Sequence, residues 1–158
     1  MATLSKRILV PVEYSEHCKR ALELAAELAP HMNASVEVIH AWDHPSMVPQ
    51  DVAMATPTGE HRSLFELMAE NAEREMSAFL ADARLPPGLS LTHRLENGEP
   101  CKAILAAIER DHPELVVVGT HGRAGFRHFL LGSIAEKLVR LSPVPVLCVP
   151  VKRTSAVA

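Results

Sequence analysis

A chain of 158 residues, 47% hydrophobic and 22% charged, has the length of one domain and enough apolar material for a real core. Its net charge of −3, without a basic block of five residues, removes the electrostatic case for nucleic acid or an anionic membrane as partner. Cys18, Cys101 and Cys148 are too scattered for a zinc site or a C-x-x-C redox motif.

In chain order, Arg7–Val12 is a β-branched apolar run and reads as a buried strand. Ser15 is a natural N-cap for the helix that follows, whose stripe is Cys18, Ala21, Leu22, Ala25, Leu28, Ala29 and Met32. Ala34–Trp42 is a second strand. Asp43–Glu60 carries three prolines and a glycine and is expected to be a flexible loop. A long helix is predicted from His61 to Ala83, ended by the LPPG stretch. Leu89–Leu95 alternates as a strand, and Pro100 opens a third helix at the first position, where proline is tolerated. LVVVG, Leu115–Gly119, is a fourth strand, SIAEKLVRL a fourth helix, and VLCVPV, from Val146, a last strand. Helices in every interval between strands predict an α/β fold, an open parallel sheet with helices on both faces, within a single domain spanning 1–158. MATLSKR is too short and polar for a signal peptide, and no window nears the ~18 apolar residues of a membrane span. A cytoplasmic protein with buried, reduced cysteines is expected.

The segment Gly119–Ser133, GTHGRAGFRHFLLGS, holds four of the seven glycines. It is about twice the usual ~2–6 residue strand-to-helix connection. It leaves the carboxyl end of a strand, where ligands of open parallel sheets bind. Glycines admit close backbone approach, Gly132 and Ser133 open a helix with unsatisfied N–H groups, and Arg123 and Arg127 add positive charge. Phosphate is the ligand this combination favours. Taken singly, Ser133 serves equally as an N-cap, Gly119 and Gly122 as turn formers, and His121 and His128 as solvated loop residues. Neither a Walker A loop nor G-x-G-x-x-G occurs. His40 and His44 have a metal-like spacing, but on a strand and its following loop that spacing does not bring side chains together, and no metal site is expected. Tyr14 and Trp42 are aromatic candidates for base stacking and, equally, for packing.

What occurs instead is G-x2-G-x9-G-S at Gly119, Gly122, Gly132 and Ser133. With ILVPVEYSEHCKRALELAAELA, NGEPCKAILAAI and the carboxyl-terminal ELVVVGTHGRAGFRHFLLGSIAEKLVRLSPVPVLCVP, it resembles the ATP-binding members of the universal stress protein family over nearly the whole chain. The resemblance implies a five-stranded parallel sheet of order 3-2-1-4-5 with ATP at the switch point between strands 1 and 4. Val118, Gly119, Gly122, Arg123, Gly132, Ser133 and Ile134 would hold phosphates and ribose. Pro11, Val12, Glu13 and the backbone of Ala41 would border adenine and ribose, with Gly98 near the ribose. Glu13 departs from the family's usual Asp in V-D-x-S. A Mg²⁺ on the phosphates fits this picture, with no protein ligand assignable.

The function expected is a nucleotide-dependent regulatory module of the stress response with slow or no ATP turnover. The alternatives are a nucleotide-free interaction module and an adenylyl-transferring enzyme, whose S-G-G-x-D-S loop is missing here. A homodimer is expected through the last strand, residues 145–150. Pro145 and Pro150 mark that strand as an edge, and a bare apolar edge invites pairing with an identical one. The downstream protein partner is not legible.

Overall fold

The computed structural model describes residues 6–43, 49, 52–120 and 131–150. Strand β1 (Lys6–Pro11) leads into α1 (Glu16–Met32), and β2 (Ala34–Trp42) follows. A short ribbon, β3 (Ala53–Ala55) and β4 (His61–Ser63), precedes α2 (Leu64–Asp82). Then come β5 (Leu91–Asn97), α3 (Pro100–Asp111), β6 (Leu115–Gly119), α4 (Ser133–Leu141) and β7 (Val146–Val149).

The five longer-range strands form one parallel sheet in the order β5-β2-β1-β6-β7. Counting only these five in chain order, the arrangement is 3-2-1-4-5, as expected. The period of two along β1 divides its side chains between two cores. Ile8 and Val10 pack with Ala21, Leu22 and Ala25 of α1 and Met76 and Phe79 of α2. Leu9 packs on the other face with Ile104, Ala107 and Ile108 of α3 and Ala135 and Leu138 of α4. β1 therefore feeds a helix on one face and its neighbour β6 feeds a helix on the opposite face. A crevice opens where the two connections part.

Three expectations need correction. Asp43–Glu60 is not loop throughout, since Ala53–Ala55 pairs antiparallel with His61–Ser63. The long helix begins at Leu64 rather than His61. Ser63 caps it, accepting from Glu66 N–H at 3.1 Å while the Glu66 carboxylate accepts from Ser63 N–H at 3.2 Å. That reciprocal pair is written in the sequence as S-L-F-E. Strand β5 also runs two residues later than predicted, because β2 extends to Trp42 and offers β5 partners from Val36–Leu91 through Trp42–Asn97. Val151 lies outside the described residues. Among the described residues no helix is long and apolar enough to cross a membrane.

Candidate functional site

Pro11 ends β1 without an N–H to give. Val12 continues the pairing by donating to the Ile39 carbonyl at 2.9 Å. The chain then turns sharply: Tyr14 stands at φ 65°, left-handed backbone that a bulky residue adopts at a cost of about 1–3 kcal/mol. Ser15 caps α1 as predicted, its Oγ accepting from Cys18 N–H at 3.4 Å. The Cys18 sulfur in turn accepts from Glu13 N–H at 3.4 Å. Burial pushes the Cys18 thiol above its ordinary pKa and keeps it protonated.

Across the crevice, β6 ends at Gly119. A Cβ placed there would stand 3.0 Å from the carbonyl carbon and oxygen of His17. Glycine at this position lets the first turn of α1 close against the end of β6, a packing demand the sequence does not disclose. Thr120, buried, donates its N–H to Val149 at 3.1 Å and accepts from Gly132 N–H at 2.6 Å. One residue thus ties the end of β6 to β7 and to the start of α4. Gly132 is the N-cap of α4, and no side-chain hydrogen bond caps that helix. Ser133 therefore sits at the first helical position and is not the cap.

Between these two turns lies a cavity of about 160 Å³. Pro11 lines it from the end of β1, Val12 and Glu13 from the turn that follows, Ala41 from β2, and Val118 and Gly119 from β6; Gly132, Ser133 and Ile134 form the start of α4. The structure brings these nine predicted residues to one place. Gly98 is not in the lining. It takes φ 137°, donates to the Trp42 carbonyl at 2.9 Å and shapes the turn from β5 into α3. Gly122 and Arg123 lie outside the described residues, as do His44, His121, Arg127 and His128.

Cys18, Pro100, Ile104 and Ala135 also line the cavity and were missed from the sequence. Pro100 carried a signal, since it opens the helix after Gly98. Cys18, five residues beyond Glu13, carried one only to a reader who already had the turn.

The polar contents of the cavity are few. Glu13 Oε1 is buried and has no hydrogen-bond donor among the described residues. Such an orphan is costly unless something supplies a donor. At the opposite wall the first N–H groups of α4 and the Ser133 hydroxyl offer donors to an anion. Tyr14 and Trp42 serve packing: the Tyr14 ring lies 5.7 Å from Phe79 and the Trp42 ring 5.2 Å from Phe65. Among the described residues no group of three His, Cys, Asp or Glu side chains could hold a metal ion.

A family model described as "Universal stress protein family" matches residues 5–150. The chain belongs to the universal stress protein family. Its relatives include a universal stress protein of Thermus aquaticus, 32% identical over 144 residues, covering 91% of this chain and 98% of that one. The fold is shared with solved members at lower identity. The structure of MJ0577, a universal stress protein of Methanocaldococcus jannaschii, aligns with a TM-score of 0.69 at 23% identity, covering 96% of this chain and all of its own. A universal stress protein of Archaeoglobus fulgidus, solved in complex with dAMP, aligns with a TM-score of 0.58 at 19% identity, over 93% of this chain and 99% of that one.

Proposed function

We propose that this universal stress protein binds an adenine nucleotide, ATP in the first instance, in the crevice between β1 and β6, and acts as a nucleotide-dependent regulatory module. The observation that carries the reading is the cavity itself. It lies at the switch point, is apolar where a base would lie, has Glu13, whose Oε1 is buried and unpartnered among the described residues, in its lining and opens on the amino end of α4. The dAMP bound by the Archaeoglobus relative supports the same ligand class. Val12, Glu13 and Ala41 would border base and ribose; Gly132 and Ser133 would meet phosphate, with any Mg²⁺ arriving on the phosphates.

Turnover is expected to be slow or nil. Backbone donors and a serine hydroxyl stabilise a bound phosphate in its ground state, and binding that is equal in ground and transition states does not lower a barrier. Calorimetric titration with ATP, ADP and AMP should give saturable binding, and a phosphate-release assay far less than the ~10 per second of a median enzyme. Failure of all three nucleotides to bind would leave the interaction module in its place.

A homodimer through β7 belongs to the same proposal. That strand ends the sheet, proline stands on both sides of it, and Val146, Leu147 and Cys148 remain half-buried in the isolated chain. Light scattering that returns 17.3 kDa at micromolar concentration would exclude it.

A further inference from the structure

Glu13 stands between two residues that the fold holds unusually hard. On one side, Val12 has both backbone groups engaged: its N–H donates to Ile39 and its carbonyl accepts from His40 Nδ1 at 2.8 Å. On the other, Tyr14 occupies the left-handed region at φ 65°. Glycine or asparagine takes that conformation readily, whereas a tyrosine stays there only when its surroundings compel it. They do so here. The Tyr14 ring lies over that of His40, centroids 4.3 Å apart and planes inclined by 32°, and its hydroxyl donates to the Ala72 carbonyl of α2 at 3.3 Å. The same His40 therefore grips Val12 through its nitrogen and Tyr14 through its ring.

The residue so bracketed has a carboxylate oxygen buried without a donor among the described residues. Left to relax, a turn carrying such a group would let the carboxylate swing out to water. We propose that Tyr14 and His40 are positioning residues for Glu13. They lock the strained turn after β1, so that the carboxylate is kept in the cavity wall as a ready acceptor for a hydroxyl or amino donor of the nucleotide. The ligand half of this inference rests on the nucleotide reading above; the positioning half does not.

Two double-mutant cycles test the halves separately. In the first, without ligand, Glu13→Ala is made in the wild type and in Tyr14→Ala, and thermal midpoints are compared. Glu13→Ala should raise the midpoint by about 2–4 °C in the wild type, because it deletes an unsatisfied buried oxygen. It should do nearly nothing in Tyr14→Ala, where the carboxylate already reaches water. An equal shift in both backgrounds, or a fall in the wild type, overturns the proposal. Should Tyr14→Ala fail to fold, Tyr14→Gly carries the same cycle, since glycine takes this backbone freely and still removes the ring. In the second cycle, AMP affinity should fall about tenfold on Tyr14→Gly or His40→Ala in the wild type, and less than about twofold in Glu13→Ala. AMP binding with both cycles additive overturns the positioning role and leaves the nucleotide reading standing. A coupled thermal cycle with no AMP binding upholds the positioning and overturns the nucleotide reading.

Discussion

Between β1, β2, β5 and the end of α3, Arg7, Arg94 and Arg110 meet Glu37, Glu96 and Asp111, and each charge has an opposite neighbour. Arg7 reaches Glu37 at 3.1 Å, Arg94 reaches Asp111 at 2.8 Å, and Arg110 reaches Glu96 at 3.0 Å. Even Arg94 Nε, which makes no hydrogen bond, has carboxylate oxygens at 3.3 and 3.6 Å. At the carboxyl ends of β1 and β6, among the described residues, the polar groups are left open: Glu13 Oε1 has no donor, and α4 begins without a side-chain cap. A cluster of paired charges needs nothing further to complete it, whereas an unpartnered buried oxygen costs stability until a donor reaches it. On the function proposed above, the first cluster belongs to architecture and the second to binding.

The contrast breaks first at Gly119. Gly119→Ala forces a Cβ against the His17 backbone, which cannot yield as a flexible side chain would. Denaturant unfolding should show a loss of about 2–3 kcal/mol, with nucleotide binding lost as well. A stable, binding-competent variant would mean that the β6–α1 approach is looser than the geometry requires. Glu37→Gln acts on the other cluster, withdrawing a carboxylate from Arg7 and Arg94. Because the arginines are partly solvated and Arg94 keeps Asp111, the loss should be about 1.5 kcal/mol, with nucleotide affinity unchanged. A matching fall in affinity would show that the two clusters are one.

The smallest effect is a pH dependence at Asp111. Burial pushes its carboxyl up, but hydrogen bonds from Arg110 and Arg94 outweigh burial and hold it below the ordinary range. A carboxyl depressed in the folded state adds stability that is fully present above its unfolded pKa of ~3.9 and fades as pH falls through the folded value. The stability difference between wild type and Asp111→Asn should therefore be under about 1 kcal/mol and flat from pH 7 to 5, and shrink below about pH 4. A difference that grows on acidification would reverse the sign argued here.

The sheet was legible because apolar periodicity states which residues are buried, and helix-strand alternation leaves few topologies. Boundaries were harder. The ribbon at Ala53–Ala55 has exposed side chains, so no burial pattern announces it, while the S-L-F-E cap at Ser63 is a local signal that apolar periodicity does not register. In the site, the nine lining residues came from the family resemblance. What the sequence hid was the reason for two of them. Gly119 is small for the sake of the His17 backbone, and Glu13 is held by Tyr14 and His40, which are remote in sequence and meet only once β1 and β2 pair.

The hydrogen bonds of Thr120 have a consequence for how this protein could be altered. Because Gly132 N–H and the Thr120 carbonyl meet at 2.6 Å, the stretch between them departs from and returns to nearly the same point. Closing a longer excursion over such a clasp costs only about 0.6 kcal/mol for each doubling of its length. Thr120 and Gly132 are thereby held to one another whatever the length of chain that joins them, and the end of β6 and the start of α4 keep their places.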